Sequence, residues 1–176
     1  MCIRDRAISF INKNKENPFL CFLSLNAPHS PFNFPKEYYE LYENESDLLE
    51  SQKRFYGMIT NIDDNFGKLH QNVKSLGILD NTIIIFTTDN GTSNGYKYSK
   101  KDKKWLGFNA GMRGTKTSEY DGGHRVPFII KWKKGGLFGG HNYSGLSAHV
   151  DMLPTLLSFA KIAFNSTKKI DGTDLS

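Results

Sequence analysis

The hydrophobic pattern of the chain contains three short apolar runs that are typical of β-strands. Residues 19–25 form a continuous apolar run, which is the pattern of a strand buried on both faces. Residues 82–88 are rich in β-branched side chains, and residues 126–132 form a third run with Pro127 near its start. We therefore predict a strand in each of these segments.

Two other segments show the periodicity of helices. Within residues 46–76 the apolar side chains recur at helical spacings, and they are Leu48, Phe55, Ile59, Ile62, Phe66 and Leu69. Ser46 is predicted as the N-cap of this helix, and Gly77 as the residue that ends it. A shorter helix is predicted over residues 150–160, with Pro154 in its first turn.

The order of these elements predicts an α/β fold whose largely parallel sheet is flanked by helices. No internal repeat or linker divides the chain, so one domain is expected. In open α/β sheets, ligands bind beyond the carboxyl ends of the strands. His29 and the pair Asp89-Asn90 each follow a predicted strand closely, so this fold can bring them to one rim of the sheet.

Composition fits a globular protein of 176 residues, 38% of them hydrophobic and 13% aromatic. No apolar run approaches the roughly 20 residues of a membrane-spanning helix. The net charge of +5 allows an anionic partner, but most lysines are scattered and no nucleic-acid recognition motif is present. The one dense lysine run, residues 97–104, is predicted as a loop that can meet an anionic substrate. Cys2 and Cys21 are too few for a disulfide framework, and Cys21 is predicted as a buried free thiol.

The tripeptide Asp89-Asn90-Gly91 supplies the chemistry of a metal site directly after a predicted strand. A carboxylate and an amide oxygen are hard ligands that suit Ca²⁺ or Mg²⁺, and Gly91 allows a sharp turn behind them. The same tripeptide is also a common turn sequence without any ligand, so both interpretations stand at this point.

Two cationic residues are candidates for contact with an anionic ester. His29 lies between prolines in Pro-His-Ser-Pro and can protonate a leaving oxygen near neutral pH. Lys116 lies in a glycine-rich segment and offers a compact charge for a sulfate or phosphate oxygen, although the Walker A pattern is absent. Each residue, taken alone, is also compatible with an ordinary solvated loop position.

Five stretches together form a more specific pattern. They are residues 26–31 (Asn-Ala-Pro-His-Ser-Pro), 56–69, 77–91 (ending Thr-Thr-Asp-Asn-Gly), 112–127 (beginning Met-Arg-Gly-Thr-Lys), and 151–157 with 171–175. In this order they resemble the histidine loop, long helix, metal-binding strand, lysine loop and closing helix of the sulfatase family, which belongs to the alkaline-phosphatase-like superfamily. The resemblance covers nearly all of residues 18–176 and implies the partial catalytic domain of a sulfuric-ester hydrolase.

The resemblance also implies roles for individual residues. Asp89 and Asn90 would bind a divalent cation, Ca²⁺ with Mg²⁺ as the alternative. Lys116 and His29 would contact the sulfate, and His29 would assist the leaving oxygen. The implied substrate is a sulfated small molecule or glycan, with neither nucleic acid nor membrane as a partner. Family habit implies a periplasmic or secreted location and leaves the oligomeric state open.

Other polar residues of the matched stretches are predicted to be structural. Arg125 and Glu119 are expected in a local frame of ion pairs or hydrogen bonds, and Asp63 and Asp64 in capping or packing of the long helix. Three histidines remain open to a place behind the site residues or facing substrate, although plain loop positions are favoured for them, and they are His124, His141 and His149.

The chain departs from the family pattern at the nucleophile. The family's formylglycine forms from a cysteine in Cys-x-Pro/Ala-Ser-Arg, and neither Cys2 nor Cys21 has that context. Residues 1–6 resemble a translated sequencing adapter and are set aside, so residues 7–176 are expected to be the C-terminal part of one domain that is inactive alone. Alternatives are a phosphonate or phosphate ester hydrolase of the same superfamily, or a non-catalytic binder of sulfated glycans through Lys116 and residues 97–104.

Overall fold

The computed structural model describes residues 3–165 and 167–176, and Cys2 lies outside them. Five α-helices are found in this part of the chain: α1 (Ile3–Asn14), α2 (Lys36–Glu40), α3 (Glu50–Ser75), α4 (Asp121–His124) and α5 (Met152–Ala160). Four strands accompany them: β1 (Ile84–Thr87), β2 (Tyr96–Ser99), β3 (Lys104–Gly107) and β4 (Phe128–Lys131). Within these ranges no helix has the length and apolar character needed to cross a membrane.

The long helix α3 confirms the helical periodicity of the sequence but begins later than predicted. Ser46 is not its N-cap, because the helix starts at Glu50 and its first turn is capped by Gln52, whose Oε1 accepts a 2.9 Å hydrogen bond from the Leu49 amide. The predicted end is confirmed. Gly77 has a φ of +72°, a left-handed conformation that glycine adopts without strain, and its amide donates to the Lys74 carbonyl.

Helix α1 packs against α3 and includes residues 3–6, which the sequence analysis set aside. Ala7 and Ile11 are buried on its inner face. The polar edge of the contact is joined by a 3.0 Å hydrogen bond from Asn72 Nδ2 to Asn12 Oδ1. Further along α3, the ring of Phe66 meets Phe86 of β1 at a centroid distance of 5.9 Å, so this helix contacts both α1 and the strand.

The largely parallel sheet is not found in the described residues, which contain two separate antiparallel pairs. Strand β1 pairs with β4, with Thr87 opposite Phe128, and β2 pairs with β3 as a hairpin. A parallel pair needs a crossover connection, usually a long helix. Between β1 and β4 the chain forms the hairpin and the four-residue α4 and no long crossover helix, and the register of the two strands is antiparallel.

Residues 19–25 form no strand, and they pair with neither of the two sheets of the described residues. Exposure alternates along them: Leu20 is 80% and Phe22 86% exposed, whereas Phe19 and Leu23 are partly buried. The predicted buried strand is therefore wrong for the described residues, although the alternation is that of a strand with one covered face. Cys21 is a free thiol, as predicted, but it is only partly buried.

The C-terminal segment is held by a buried carboxylate. Asp151, the residue before α5, accepts hydrogen bonds from the amides of Ala148 (2.6 Å) and Thr173 (2.7 Å). These amides lower the pKa of Asp151, that of Thr173 having the larger effect. The hydroxyl of the buried Thr155 adds two hydrogen bonds to this attachment, since it donates to the Asp151 carbonyl and accepts from the Leu175 amide. Pro154 lies in the first turn of α5, as predicted.

Candidate functional site

The end of β1 leads directly into the predicted metal-binding turn. Asp89 is exposed, and Asn90 is partly buried with its Nδ2 donating to the Gly91 carbonyl at 3.0 Å. None of the described hydrogen bonds uses the side-chain oxygen Oδ1 of Asn90. This oxygen and the Asp89 carboxylate are therefore two hard donor groups on adjacent residues.

Gly91 places this turn against the lysine loop, residues 112–127. Its amide donates a 2.8 Å hydrogen bond to the carbonyl oxygen of Gly123. A Cβ atom on Gly91 would lie only 1.9 Å from the carbonyl oxygen of Gly122, which is far inside van der Waals contact. The close backbone approach therefore requires glycine at position 91, and this explains the third residue of the Asp-Asn-Gly sequence.

A second backbone contact brings Lys116 to the same place. The Lys116 amide donates to the carbonyl oxygen of Thr92 at 2.9 Å, one residue beyond the turn. Inside the lysine loop, the Gly122 amide donates to the Arg113 carbonyl at 2.8 Å, so the loop folds back on itself. The structure thus joins the segment that carries Asp89 and Asn90 to the segment that carries Lys116, although the sequence separates them widely.

Helix α3 positions the hairpin that leads into the lysine loop. Gln52 is completely buried, and its Nε2 donates to the Leu106 carbonyl at 2.8 Å. The Tyr56 hydroxyl donates to the Gly95 carbonyl at 2.7 Å and accepts from the Phe108 amide at 3.1 Å. Burial raises the pKa of the Tyr56 hydroxyl, and the hydrogen bond from the Phe108 amide partly opposes it. The helical pattern did not single out Gln52, because a buried glutamine does not differ in sequence from a solvated one.

His29 is exposed, and its described hydrogen bonds stay within its own loop. Its amide donates to the Asn26 carbonyl at 3.0 Å, and its Nδ1 lies 2.8 Å from the Ser30 carbonyl. These contacts hold the orientation of the imidazole, with Nδ1 as the donor to the carbonyl and Nε2 turned away from it. They do not tie His29 to Asp89, Asn90 or Lys116.

His149 is a residue near the site whose contact the sequence did not predict. Its Nε2 lies 2.9 Å from the carbonyl oxygen of Thr88, directly before Asp89. It therefore links the end of β1 to the turn that precedes α5. The only sequence signal was its position two residues before the closing helix motif, which says nothing about a partner on β1.

Around the lysine loop the expected frame of ion pairs and hydrogen bonds is found. Arg125 forms an ion pair with Asp121 at 3.5 Å, and the carbonyl oxygen of Glu119 lies 3.1 Å from His124 Nε2. At the other end of the loop, the guanidinium of Arg113 lies 3.6 Å above the centre of the Tyr120 ring.

The donor atoms of this turn are oxygens, which is the type of ligand that Ca²⁺ and Mg²⁺ prefer. Within residues 3–165 and 167–176, no three His, Cys, Asp or Glu side chains are close enough to hold a metal together. Calcium takes about six to eight oxygen ligands. If such an ion binds here, Asp89 and Asn90 would supply two of its oxygens, and the others would have to come from elsewhere in the protein, from substrate or from water.

Comparison with known proteins adds the family context. A family model described as Sulfatase matches residues 2–162. The chain is 31% identical over 177 residues to "Uncharacterized sulfatase YdeN" of Escherichia coli (strain K12), covering 98% of this chain and 29% of that protein. It is 30% identical over 174 residues to N-acetylgalactosamine-6-sulfatase of Rattus norvegicus, covering 97% of this chain and 30% of the relative.

A solved structure shows the same fold. The crystal structure of Ps i-CgsB in complex with k-i-k-neocarrahexaose superposes with a TM-score of 0.83 at 30% identity, covering 98% of this chain and 36% of that chain. The chain thus spans 29% and 30% of the lengths of the two curated relatives above.

Proposed function

The chain belongs to the sulfatase family, and on that premise we propose that it is the C-terminal part of a metal-dependent catalytic domain that hydrolyses sulfate esters. Family and fold relatives support the sulfuric-ester hydrolase class. The observation that carries the proposal is the pair of backbone hydrogen bonds, Gly91 to Gly123 and Lys116 to Thr92. They bring a turn with two oxygen donors to a loop with a cationic side chain, which is the pairing that recognition of a sulfate group needs.

Each side chain has a role that suits its chemistry. Asp89 and Asn90 would hold Ca²⁺, or Mg²⁺ as the alternative. When bound, the ion would neutralise negative charge on the sulfate oxygens. Lys116 would bind a sulfate oxygen as a point charge. His29 would also contact the sulfate and deliver a proton to the leaving oxygen, with its Nδ1 held by the Ser30 carbonyl.

The nucleophile is proposed to lie outside this chain. Neither Cys2 nor Cys21 stands in the sequence context from which formylglycine is made. We therefore expect the nucleophile, and the remaining metal ligands, in other parts of the whole protein. Without them this chain would not turn over substrate on its own. A periplasmic or secreted location is proposed from the family alone.

The substrate is proposed to be a sulfated small molecule or glycan. The structural relative Ps i-CgsB, solved in complex with k-i-k-neocarrahexaose, supports the glycan choice. The relative from Rattus norvegicus, which is named N-acetylgalactosamine-6-sulfatase, points the same way. Lys116 and the lysines of the β2–β3 hairpin offer the charge that a polyanionic substrate needs.

The test uses the whole protein, recovered from its source gene, with a small aryl sulfate and the corresponding aryl phosphate as substrates. We expect hydrolysis of the sulfate ester. Lys116→Ala should lower kcat/KM by about 100-fold or more, whereas Lys134→Ala, a change at an exposed lysine beyond β4, should leave it unaltered. Preference for the aryl phosphate would move the protein to the phosphoesterases, and equal activity of both lysine variants would remove Lys116 from the site.

Metal binding has its own readout. Calorimetric titration of the metal-free whole protein with Ca²⁺ should show a site that Asp89→Asn weakens, because the substitution removes the only charged donor of the turn. Asp47→Asn, at an exposed loop position, is the matched control. Unchanged calcium affinity in Asp89→Asn would refute the assignment whatever the activity of the protein.

A further inference from the structure

The hairpin of β2 and β3 carries three aromatic rings on one face, which we call the aromatic face: Tyr96, Tyr98 and Trp105. Tyr98 is paired directly with Trp105 across the hairpin, and Tyr96 lies two residues before Tyr98, so all three point to the same side. Trp105 stacks on Tyr96 with centroids 4.9 Å apart and rings 14° from parallel, and it meets Tyr98 edge-on at 5.8 Å. Despite these contacts, Trp105 is 53% and Tyr98 49% exposed.

The opposite face of the hairpin is anchored in the protein. Ser99 and Leu106 are 2% and 8% exposed, and the Leu106 carbonyl accepts the buried hydrogen bond from Gln52. The Gly107 position is so tight that a Cβ atom there would lie 2.1 Å from the Gly95 carbonyl oxygen. The aromatic face is therefore a supported surface whose rings are already ordered, which reduces the entropy that a ligand must offset on binding.

The tip of the same hairpin is strongly cationic. Residues 97–104 contain five lysines and one acidic residue, Asp102. The Asp102 carboxylate is engaged inside the turn, because it accepts a 2.6 Å hydrogen bond from the Ser99 hydroxyl. Among the described residues, none of the five lysines forms a salt bridge, and three of them, Lys100, Lys101 and Lys103, are exposed in the turn between the strands.

Aromatic rings beside free ammonium groups match one ligand chemistry in particular. The C–H-rich face of a pyranose ring packs on the negative face of an aromatic ring. The sulfate groups of neighbouring sugars would meet the lysines, whose compact charges suit single sulfate oxygens. Neither a small aryl sulfate nor a free sulfate ion would engage both parts of the hairpin at once.

We infer that the β2–β3 hairpin binds an extended sulfated polysaccharide, with a sugar ring on Trp105 and sulfates of adjacent sugars on Lys100, Lys101 and Lys103. This inference rests on the proposed function for the class of substrate, but the binding itself requires no turnover. The hairpin would select polymeric substrate and present a chain to the site that Asp89, Asn90 and Lys116 form. A single-stranded nucleic acid also offers flat rings and anionic groups, so it is the competing ligand that the test must exclude.

The experiment measures binding of this chain to a carrageenan hexasaccharide by calorimetry and by tryptophan fluorescence. The controls are the chemically desulfated hexasaccharide and single-stranded DNA of similar length. We expect Trp105→Ala and the triple variant Lys100→Gln/Lys101→Gln/Lys103→Gln each to weaken binding by about tenfold or more. The matched triple Lys68→Gln/Lys74→Gln/Lys134→Gln removes the same charge from exposed positions elsewhere and should change affinity less than about twofold.

Several outcomes would overturn the inference. Equal weakening by the two lysine triples would show attraction by net charge alone, and binding of the desulfated sugar with unchanged affinity would exclude the sulfates. DNA that binds as tightly as the hexasaccharide would make the hairpin a nucleic-acid surface. Because the lysine variants alter only exposed turn residues, they test the hairpin even if Trp105→Ala disturbs its fold.

Kinetics of the whole protein separate this inference from the proposed function. The hairpin variants should lower kcat/KM for sulfated polysaccharide and leave kcat/KM for a small aryl sulfate unchanged. A whole protein without sulfatase activity, in which the hairpin still binds the hexasaccharide, would refute the proposed function alone. An active sulfatase whose hairpin variants keep full polysaccharide affinity would refute the hairpin site alone.

Discussion

The amide of Gly91 donates a hydrogen bond of 2.8 Å to the carbonyl oxygen of Gly123, and this contact joins the Asp89-Asn90-Gly91 turn to the lysine loop. The approach is tight on both sides: a Cβ on Gly91 would meet the Gly122 carbonyl oxygen at 1.9 Å, and one on Gly123 would meet the Ser118 carbonyl oxygen at 2.0 Å. Backbone packing at these glycines therefore sets the spacing between the segments that carry Asp89 and Lys116.

Gly91→Ala is expected to destabilise the chain and to separate the two segments. The added methyl group must displace the Gly122 carbonyl and break the hydrogen bond to Gly123. We expect the free energy of unfolding to fall by about 1–3 kcal/mol. Urea denaturation followed by the fluorescence of the two tryptophans measures the change.

Gly67→Ala is the matched control for that substitution. Gly67 lies inside α3, and a Cβ atom there would have no neighbour within 4 Å. Alanine should stabilise the helix by about 0.5–1 kcal/mol because it has less conformational freedom to lose on folding. If Gly91→Ala were as stable as Gly67→Ala, the close approach of the two loops would be wrong.

The buried amide of Gln52 yields a second prediction. Gln52→Ala removes the donor to the Leu106 carbonyl and the acceptor for the Leu49 amide. Leaving buried backbone groups unpaired should cost about 1–3 kcal/mol, measured by the same urea titration. Gln71→Ala, at an exposed position of the same helix, should change stability by less than about 0.5 kcal/mol. Equal effects of the two variants would contradict the role of Gln52 in joining α3 to the hairpin.

The sequence predicted the elements whose formation depends on local pattern. Helix α3, its end at Gly77, and the cores of β1 and β4 follow from apolar periodicity, turn chemistry and β-branched residues. It also placed Asp89 and Asn90 directly after a strand. These features are encoded within a few neighbouring residues, so they can be read without knowledge of the partners.

The features that were missed depend on distant partners. The direction of strand pairing is set by the connection between β1 and β4, and an apolar run does not carry that information. The lysine run 97–104 was predicted as a loop from its composition, but it forms part of a hairpin in which Tyr98 pairs with Trp105. The contact between His149 and Thr88 likewise joins residues that no local pattern connects.

The hydrogen bonds of the Asp151 carboxylate hold the C-terminal segment, and we predict that this attachment is sensitive to acid. Hydrogen bonds from the Thr173 and Ala148 amides lower its pKa below the ordinary value of 3.8. A carboxyl group with a depressed pKa in the folded state contributes stability above its unfolded pKa, and that contribution is lost as pH falls through the folded pKa. We therefore expect stability to decrease on acidification below about pH 4, as measured by thermal unfolding at a series of pH values.

Substitution separates this carboxylate from the others. Asp151→Asn should lower Tm at pH 7, because the neutral amide is a weaker acceptor, and should flatten the dependence on pH below 4. Some dependence should remain, since the Ser176 amide also lowers the pKa of Asp174. The exposed Asp47→Asn should leave the profile close to that of the unsubstituted chain. If the dependence of Tm on pH were unchanged in Asp151→Asn, the stabilising role of this carboxylate would be refuted.

The exposed edge of residues 19–25 predicts self-association of this chain. Leu20 and Phe22 are 80% and 86% exposed in a segment whose alternating exposure is that of a strand and which has no partner strand among the described residues. Such an edge is a template for pairing with another chain. We expect light scattering coupled to size exclusion to show a mass that rises with protein concentration in the micromolar range. The double variant Leu20→Lys/Phe22→Lys should shift it toward the monomer.

Hydrophobicity and strand pairing can be told apart with a second double variant. Phe138→Lys/Leu146→Lys removes two apolar side chains that are 58% and 99% exposed but lie outside any extended edge. If association requires backbone pairing at residues 19–25, this control should associate as the unsubstituted chain does. If both double variants lost association equally, the association would be due to general exposure of apolar side chains. A monomer at every concentration would show that residues 19–25 do not pair with another chain. In the whole protein we expect the same edge to be covered, so the Leu20 and Phe22 substitutions should there lower stability instead of improving solubility.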